Sequence, residues 1–323
     1  MKNILITGVL GHLGSKFAKL LLDNFPMYNV FGIDNEADKK YINNKELFNS
    51  YDKFDYIKGD ITNTELISNI LTERKSSLST YYTNKGVDYI FNFAFNSFIA
   101  DKKNLGISYI RDNISGVLNI AIEALKHWDG NYTGKRLIYI SALDVFRFTE
   151  EEKCYDENSH PNPDTISGSI KLSVESILKT LNERFGIPIT IIRIPFLVGG
   201  HNGIYPILPN IFSDLKNNKK VVIDFHPETT INIGHTEDIL IAIESTFKDK
   251  TNFTIYNACG HNVSIKKIVD TFAEFVKTDS SKVIYEGKNK LNLCVMPDKI
   301  YNNLGWKHFT DFEITLKKVA DEI

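Results

Sequence analysis

The chain has 323 residues, of which 42% are hydrophobic and 24% charged, so there is ample apolar material for a large core. A formal net charge of −2 leaves no basic field to hold nucleic acid or an anionic membrane surface. The three cysteines, Cys154, Cys259 and Cys294, stand far apart and form no CxxC pair, so neither a metal site nor a disulfide is expected and a reducing cytoplasm fits.

After Met1 and Lys2 the chain enters a strand-like run, and no signal peptide is expected. No apolar run approaches the ~18 residues that a membrane span needs. A cytoplasmic protein is expected. Strands are predicted at residues 3–7, 29–33, 54–58, 87–93, 136–141 and 189–193, with periodic helices at 13–24, 110–126 and 169–185. Strands with little polar alternation, separated by helices, predict an α/β fold: a Rossmann-type, doubly wound parallel sheet covered on both faces. The polar stretches 36–52 and 76–85 read as surface excursions. Beyond residue 199 short strands at 221–223, 254–257 and 282–285 mix with short helices. The expected division is a Rossmann domain over 1–199, including the Lys171 helix, and a smaller mixed α/β substrate lobe over 200–323, some of whose segments return to the Rossmann core. Lys216 to Lys220 read as solvated surface.

The first strand runs into Gly8, Gly11 and Gly14 and then into an amphipathic helix. That spacing suits a dinucleotide: Gly8 permits a tight turn, Gly11 lets backbone approach a pyrophosphate, and Gly14 lets helix and strand pack closely. The phosphates then meet the amides at the helix start, around His12 and Leu13. The second strand ends at Asp34, twenty residues past Gly14, followed by Asn35. A carboxylate there accepts hydrogen bonds from the adenosine ribose and repels a 2′-phosphate, so NAD rather than NADP is expected. Asp60 and Ile61 end the next strand, where they would meet the adenine.

With these residues in hand, the chain resembles the extended short-chain dehydrogenase/reductase family of NAD-dependent sugar-nucleotide epimerases and dehydratases. The run from Thr7 to Gly14 is similar to the family's TGxxGxxG, and Asn92-Phe93-Ala94 stands where its HLA lies against the cofactor. Asn113, Gly116 and Asn119 follow the NxxGxxN helix, and Ile140-Ser141 opens the strand-end motif. Glu157 with Pro161 and Pro163 resembles the lead into the catalytic helix, where Gly168 and Lys171 keep part of YGxSK. Arg193-Ile194-Pro195 resembles LRxP, His235 to Ile239 resembles HVDDV, and Tyr256-Asn257 and Leu304-Gly305-Trp306 follow C-terminal signposts. The resemblance implies oxidation of a sugar carbon by bound NAD, with a tyrosine as base, a lysine lowering its pKa and a serine or threonine completing the relay.

The chain departs from that pattern where protons move. Ser167 stands at the tyrosine position, one helical turn before Lys171, and Ala142 stands at the serine/threonine position. An aliphatic hydroxyl is far less acidic than a phenol and reaches less far. Phe196 and Ile231 replace an asparagine and an arginine that the resemblance places near the substrate diphosphate, with Lys216 to Lys220 or His201 as candidates to compensate. Asp144 is the first candidate replacement acid, with Tyr155, Glu157 and His160 in the loop behind it. Lys171 is expected on the nicotinamide ribose. Two readings follow: an enzyme acting on a nucleotide sugar or small polyol through a reorganised relay, or a catalytically silent NAD-binding subunit with a regulatory or scaffolding role. Family resemblance further implies a homodimer through helices 110–126 and 169–185. No metal, nucleic-acid or membrane partner is expected.

Overall fold

A computed structural model describes residues 2–72, 86–96, 106–198 and 207–322, so the polar stretch 76–85 and His201 lie outside the described residues. In chain order the elements are β1 (Lys2–Thr7), α1 (His12–Asn24), β2 (Tyr28–Asp34), β3 (Phe54–Lys58), α2 (Thr64–Leu71), β4 (Tyr89–Asn92), α3 (Ile107–Trp128) and β5 (Arg136–Ala142). They continue with β6 (Cys154–Tyr155), α4 (Ile166–Phe185), β7 (Ile189–Ile194), β8 (Phe196–Val198), α5 (Ile207–Lys216), β9 (Val221–Ile223), β10 (Thr230–His235) and α6 (Thr236–Ser245). The last are β11 (Phe253–Asn257), β12 (His261–Ser264), α7 (Ile265–Val276), β13 (Val283–Tyr285), β14 (Cys294–Val295), α8 (Asp298–Leu304) and α9 (Phe312–Glu322).

Two compact units result. The first comprises residues 1–141, 169–191 and 250–254, the second 142–168, 192–249 and 255–323. The first is built on a seven-stranded sheet of order β11-β7-β5-β4-β1-β2-β3, in which β1 to β5 pair in parallel. Ile4, Leu5 and Ile6 are wholly buried, as are Leu137, Ile138 and Ile191. Burial on both faces is why these strands read as unbroken apolar runs. Strand order reverses between β1 and β4, so the crevice at their carboxyl ends is the switch point where such sheets take ligands. α1 lays Phe17, Ala18 and Leu21 on the sheet, with Phe17 tilted against Phe91 at 4.7 Å, and turns Lys16 and Lys19 outward.

The stretch expected as a polar excursion after β2 carries a 3-10 helix, Lys39–Phe48, anchored by Phe48 stacked on Phe54 at 4.1 Å. β11 joins the main sheet beside β7. Among the described residues no helix is long and apolar enough to cross a membrane.

The second unit carries a three-stranded sheet, β12-β10-β8, and the strand pairs β13-β9 and β14-β6. Its core joins Phe212, stacked on Phe272 at 4.1 Å, with Ile231, Ile233, Ile268 and Leu316. The cysteine expectation is overturned here: Cys154 and Cys294 form a disulfide, because β6 and β14 pair in register at these two residues. Cys259 is a buried thiol.

Asp238, 1% exposed, ties the C-terminal segment to α6: its carboxylate accepts from Phe309 N–H (3.1 Å), Thr310 N–H (2.9 Å) and Thr310 Oγ1 (2.6 Å). Removing it strands two backbone donors. Asp238→Ala is expected to cost roughly 3–5 kcal/mol in urea unfolding; a loss under about 1 kcal/mol would show that Trp306, whose indole N–H donates to the Asp238 carbonyl at 3.1 Å, suffices to hold the segment.

Candidate functional site

The turn after β1 is shaped by missing side chains. Gly8 has φ +67°, and a Cβ on it would lie 2.8 Å from the Ala94 nitrogen. A Cβ on Gly14 would lie 2.1 Å from the Gly8 carbonyl oxygen, which already accepts the Gly11 N–H at 3.1 Å. The turn therefore closes only with glycine. α1 starts at His12 with Gly11 as its N-cap, a residue with no side chain to satisfy the first amides. Such a helix end accepts an anion.

Asp34 stands at the end of β2 with both oxygens on backbone: Leu10 N–H donates at 3.0 Å and Glu36 N–H at 2.8 Å. Burial pushes its carboxyl above the usual value against those two bonds. Glu36 takes a left-handed φ of 57° and is buried. Its carboxylate meets Lys58 at 2.6 Å, Lys45 at 3.0 Å and the Tyr56 hydroxyl at 3.0 Å, and Lys58 with Lys45 hold it down at about 2. Asn44, from the 3-10 stretch, donates to the Leu10 carbonyl at 2.7 Å. Glu36 and Asn44 were not singled out in the sequence; the one signal was a second carboxylate two residues past Asp34.

One face of α3 secures two neighbouring loops. Asn113 accepts the Asn96 N–H at 2.7 Å and donates to the Asn96 carbonyl at 3.1 Å, fixing the segment after β4. Three residues on, Gly116 leaves room for Ile61, which would sit 2.6 Å from a Cβ there. Asn119 donates to the Ile61 carbonyl at 2.7 Å, fixing the segment after β3. Phe93 and Ala94 hang from Thr7: Phe93 N–H donates to its carbonyl at 3.1 Å and Ala94 N–H to its hydroxyl at 3.3 Å. Asp60 closes its own turn by accepting Thr62 N–H at 2.8 Å, and takes Asn35 Nδ2 at 3.0 Å. Burial opposes its ionisation, but the bonds from Asn35 and Thr62 outweigh that and leave its carboxyl below the usual value.

Also in the first unit, Lys171 is 8% exposed, its ammonium 4.1 Å above the Phe95 ring and 3.4 Å from the Ile140 carbonyl. One turn later on α4, Glu175 is buried and accepts the Ser141 hydroxyl at 2.6 Å. Glu175 too went unnoticed, although helical spacing puts it on the Lys171 face. In the second unit, Ala142, Asp144 and Ser167 are partly buried. A Cβ on Gly168 would lie 2.0 Å from the Asp144 carbonyl, so the turn carrying Asp144 sits directly on the start of α4.

The loop candidates separate. Tyr155 is buried, stacked on Phe146 at 4.6 Å, and donates to the Arg147 carbonyl at 3.1 Å, a packing role rather than a surface one. Glu157 accepts the Asn257 N–H at 3.0 Å, with its carboxyl pushed up by burial. His160 is exposed. Ile231 is 3% exposed within the apolar core, and Lys219 pairs with Asp214 on the surface.

A sheet reversing at β1, a glycine-only turn and a helix clasping the next two loops define an extended short-chain dehydrogenase/reductase, in the class of NAD-dependent sugar-nucleotide dehydratases and epimerases. The family model for GDP-mannose 4,6 dehydratase matches residues 5–319, and the chain belongs to that family. Human dTDP-D-glucose 4,6-dehydratase is 20% identical over 331 residues, covering 99% of this chain and 89% of that protein. The trifunctional UDP-glucose 4,6-dehydratase/3,5-epimerase/reductase of Arabidopsis thaliana is 23% identical over 330 residues; the alignment covers 99% of this chain but only 47% of that protein, so the chain spans about half its length. Among solved structures, dTDP-glucose 4,6-dehydratase of Bacillus anthracis, in complex with NAD, superposes with a TM-score of 0.83 at 20% identity, covering 100% of this chain and 96% of that one. UDP-glucose 4-epimerase of Thermotoga maritima, with UDP-glucose, gives 0.80 at 20% identity, covering 99% and 98%.

His12 offers a test of the glycine turn that needs no substrate. Burial, with Lys16 and Lys40 adding to it, lowers its imidazole from 6.5 to about 4. A group kept neutral in the fold stabilises it fully above 6.5, and that contribution is lost as pH falls through about 4. The cofactor-free His12→Phe variant is therefore expected to lose less stability than the parent across that window, by roughly 3 kcal/mol in urea unfolding. Parallel curves would place the imidazole in contact with solvent.

Proposed function

We propose that the chain is an NAD-dependent enzyme of the epimerase/dehydratase type, acting on a nucleotide sugar or related polyol through a proton relay without the usual tyrosine. The carrying observation is the cradle: Gly8 and Gly14 admit no side chain, Asp34 is held by two backbone amides, and α3 secures both flanking loops. These residues fit NAD. The helix start takes the pyrophosphate, Asp34 the ribose hydroxyls, Asp60 and Ile61 the adenine side, and Phe93, Ala94 and Asn113 the middle of the cofactor. When bound, NAD supplies reversible two-electron oxidation of a sugar hydroxyl carbon.

The chain's own residues manage the proton. Lys171, buried beside the Ile140 carbonyl, supplies positive charge and a donor for the nicotinamide ribose. Asp144 acts as the general base or acid, and Ser167 is too weak an acid and too short to take the phenol's part. The second reading, a silent NAD-binding subunit, is favoured by Ala142 at the hydroxyl position and by Ile231 lying in the core where the family's arginine would meet a diphosphate.

Single-turnover reduction of bound NAD by a panel of nucleotide sugars, followed at the nicotinamide absorbance, separates the two. Asp144→Asn and Lys171→Ala are expected to lose about 10²–10⁴ in rate, while Ser167→Ala retains most of it. A large loss in Ser167→Ala alone would overturn the Asp144 assignment. No reduction by any sugar, with partner-dependent function that survives Lys171→Ala, would establish the silent subunit.

The working unit is a homodimer. On α4, Ile170, Val174 and Leu178 are buried, but Ile177 is 38% exposed; on α3, Ile122 is 41% exposed, in line with Ile110, Ile114 and Leu118 at four-residue spacing. α3 thus carries a second apolar face, and α4 exposes Ile177. Light scattering at micromolar concentration is expected to give twice the 36.8 kDa of one chain, falling to one in Ile122→Glu/Ile177→Glu. A monomeric parent protein would reject the dimer.

A further inference from the structure

The segment 142–168 contains Asp144, Glu157 and Ser167, all within the second unit. Part of it is strapped along the stretch before α8. Thr149 and Asn292 exchange backbone hydrogen bonds of 3.1 and 2.7 Å, and Met296 N–H donates to the Tyr155 carbonyl at 2.8 Å. The Glu152–Lys290 ion pair, 2.7 Å long, lies between side chains that are 81% and 51% exposed. An exposed pair of this kind holds little in water. The one covalent element in the strap is the Cys154–Cys294 disulfide, which joins residues 140 apart in sequence. A cross-link over so long a loop removes much of the open ensemble. Cys154 is exposed, whereas Cys294 is 8% exposed.

We propose that the Cys154–Cys294 pair is a thiol-responsive fastening, opened by a low-molecular-weight thiol of the glutathione class and closed by its disulfide. Opening loosens residues 149–157 and with them the seat of Glu157 on Asn257. The more exposed of the two cysteines directs the chemistry. The attacking thiolate bonds to Cys154 Sγ, the Cys154–Cys294 bond breaks, and Cys294 leaves as a thiolate that takes up a proton. A second thiolate attacks the reagent sulfur of the mixed disulfide, releasing Cys154, which is protonated in turn. Two electrons have then passed to the protein, and the reagent departs as its disulfide. Closure is the same sequence reversed. Cys259 stays outside the exchange: it is fully buried, and burial pushes its thiol well above the ordinary value.

Whole protein is equilibrated with reduced glutathione or with glutathione disulfide and probed without any substrate, so the outcome is independent of the proposed catalysis. Alkylation after denaturation is expected to count one thiol in the closed form and three in the open form. Amide hydrogen exchange at Thr149, Asn292 and Met296 is expected to rise about tenfold or more on opening, to reverse on closure, and to leave Leu5 and Ile6 of β1 unchanged. Cys154→Ser should exchange like the open form under both treatments; if it does not fold, Cys294→Ala serves in its place, and the parent comparison decides alone. Three thiols after glutathione disulfide, or equal exchange in the two forms, would overturn the proposal.

Discussion

Where the end of β1 meets the first turn of α1, backbone leaves no room for a side chain on Gly8 or Gly14, and much of the first unit is arranged around that contact. The Gly8 carbonyl lies where a Cβ of Gly14 would be, and the Ala94 backbone where a Cβ of Gly8 would be. The helix can pack on its strand, and the loop after β4 can approach the turn, because these positions lack Cβ atoms. Steric exclusion of this kind is costly to alter, since crowding is relieved only by moving whole elements. Asp34 exploits the closeness. It reaches back to the Leu10 amide and forward to the Glu36 amide, so one carboxylate joins the first turn to the second.

The same economy recurs on α3. Residues three apart on a helix share a face, so Asn113, Gly116 and Asn119 address the loops after β4 and β3 together. Neither asparagine needs to touch a ligand to matter, because each satisfies backbone groups that would otherwise require water in a crevice. The loops are held before anything binds, which lowers the ordering cost that binding would carry.

The fold was legible because buried parallel strands announce themselves: the runs at 54–58 and 221–223 match β3 and β9 residue for residue. The predicted run 87–93 shortened to Tyr89–Asn92. The glycine turn was legible for the same steric reason that makes it stiff. What stayed hidden depends on pairing across long separations. No local pattern joins Cys154 to Cys294, and the expectation of unpaired thiols failed there. Glu36 looked like one more polar loop residue because the lysines that hold it, Lys45 and Lys58, arrive from different elements. Tyr155 stood as a candidate in a polar loop, yet Phe146 supplies it a buried stacking partner.

Two positions, one in each unit, make different physical bargains. At Ile231 an apolar side chain sits in the core, where a charged group without a partner would be strongly destabilising, and that position now serves stability. At Lys171 the reverse holds: an ammonium is kept 8% exposed, over an aromatic ring and near a carbonyl. A ring face and a backbone oxygen recover part of the desolvation cost, but an apolar chain of similar volume at such a position is often the more stable choice. The chain has an apolar residue at 231 and a lysine at 171, beside the strand end and one turn from the Ser141–Glu175 hydrogen bond. A cation kept buried at the strand end, at a cost in desolvation, argues that Lys171 serves a ligand, a demand that the catalytic and the silent NAD-binding readings both make.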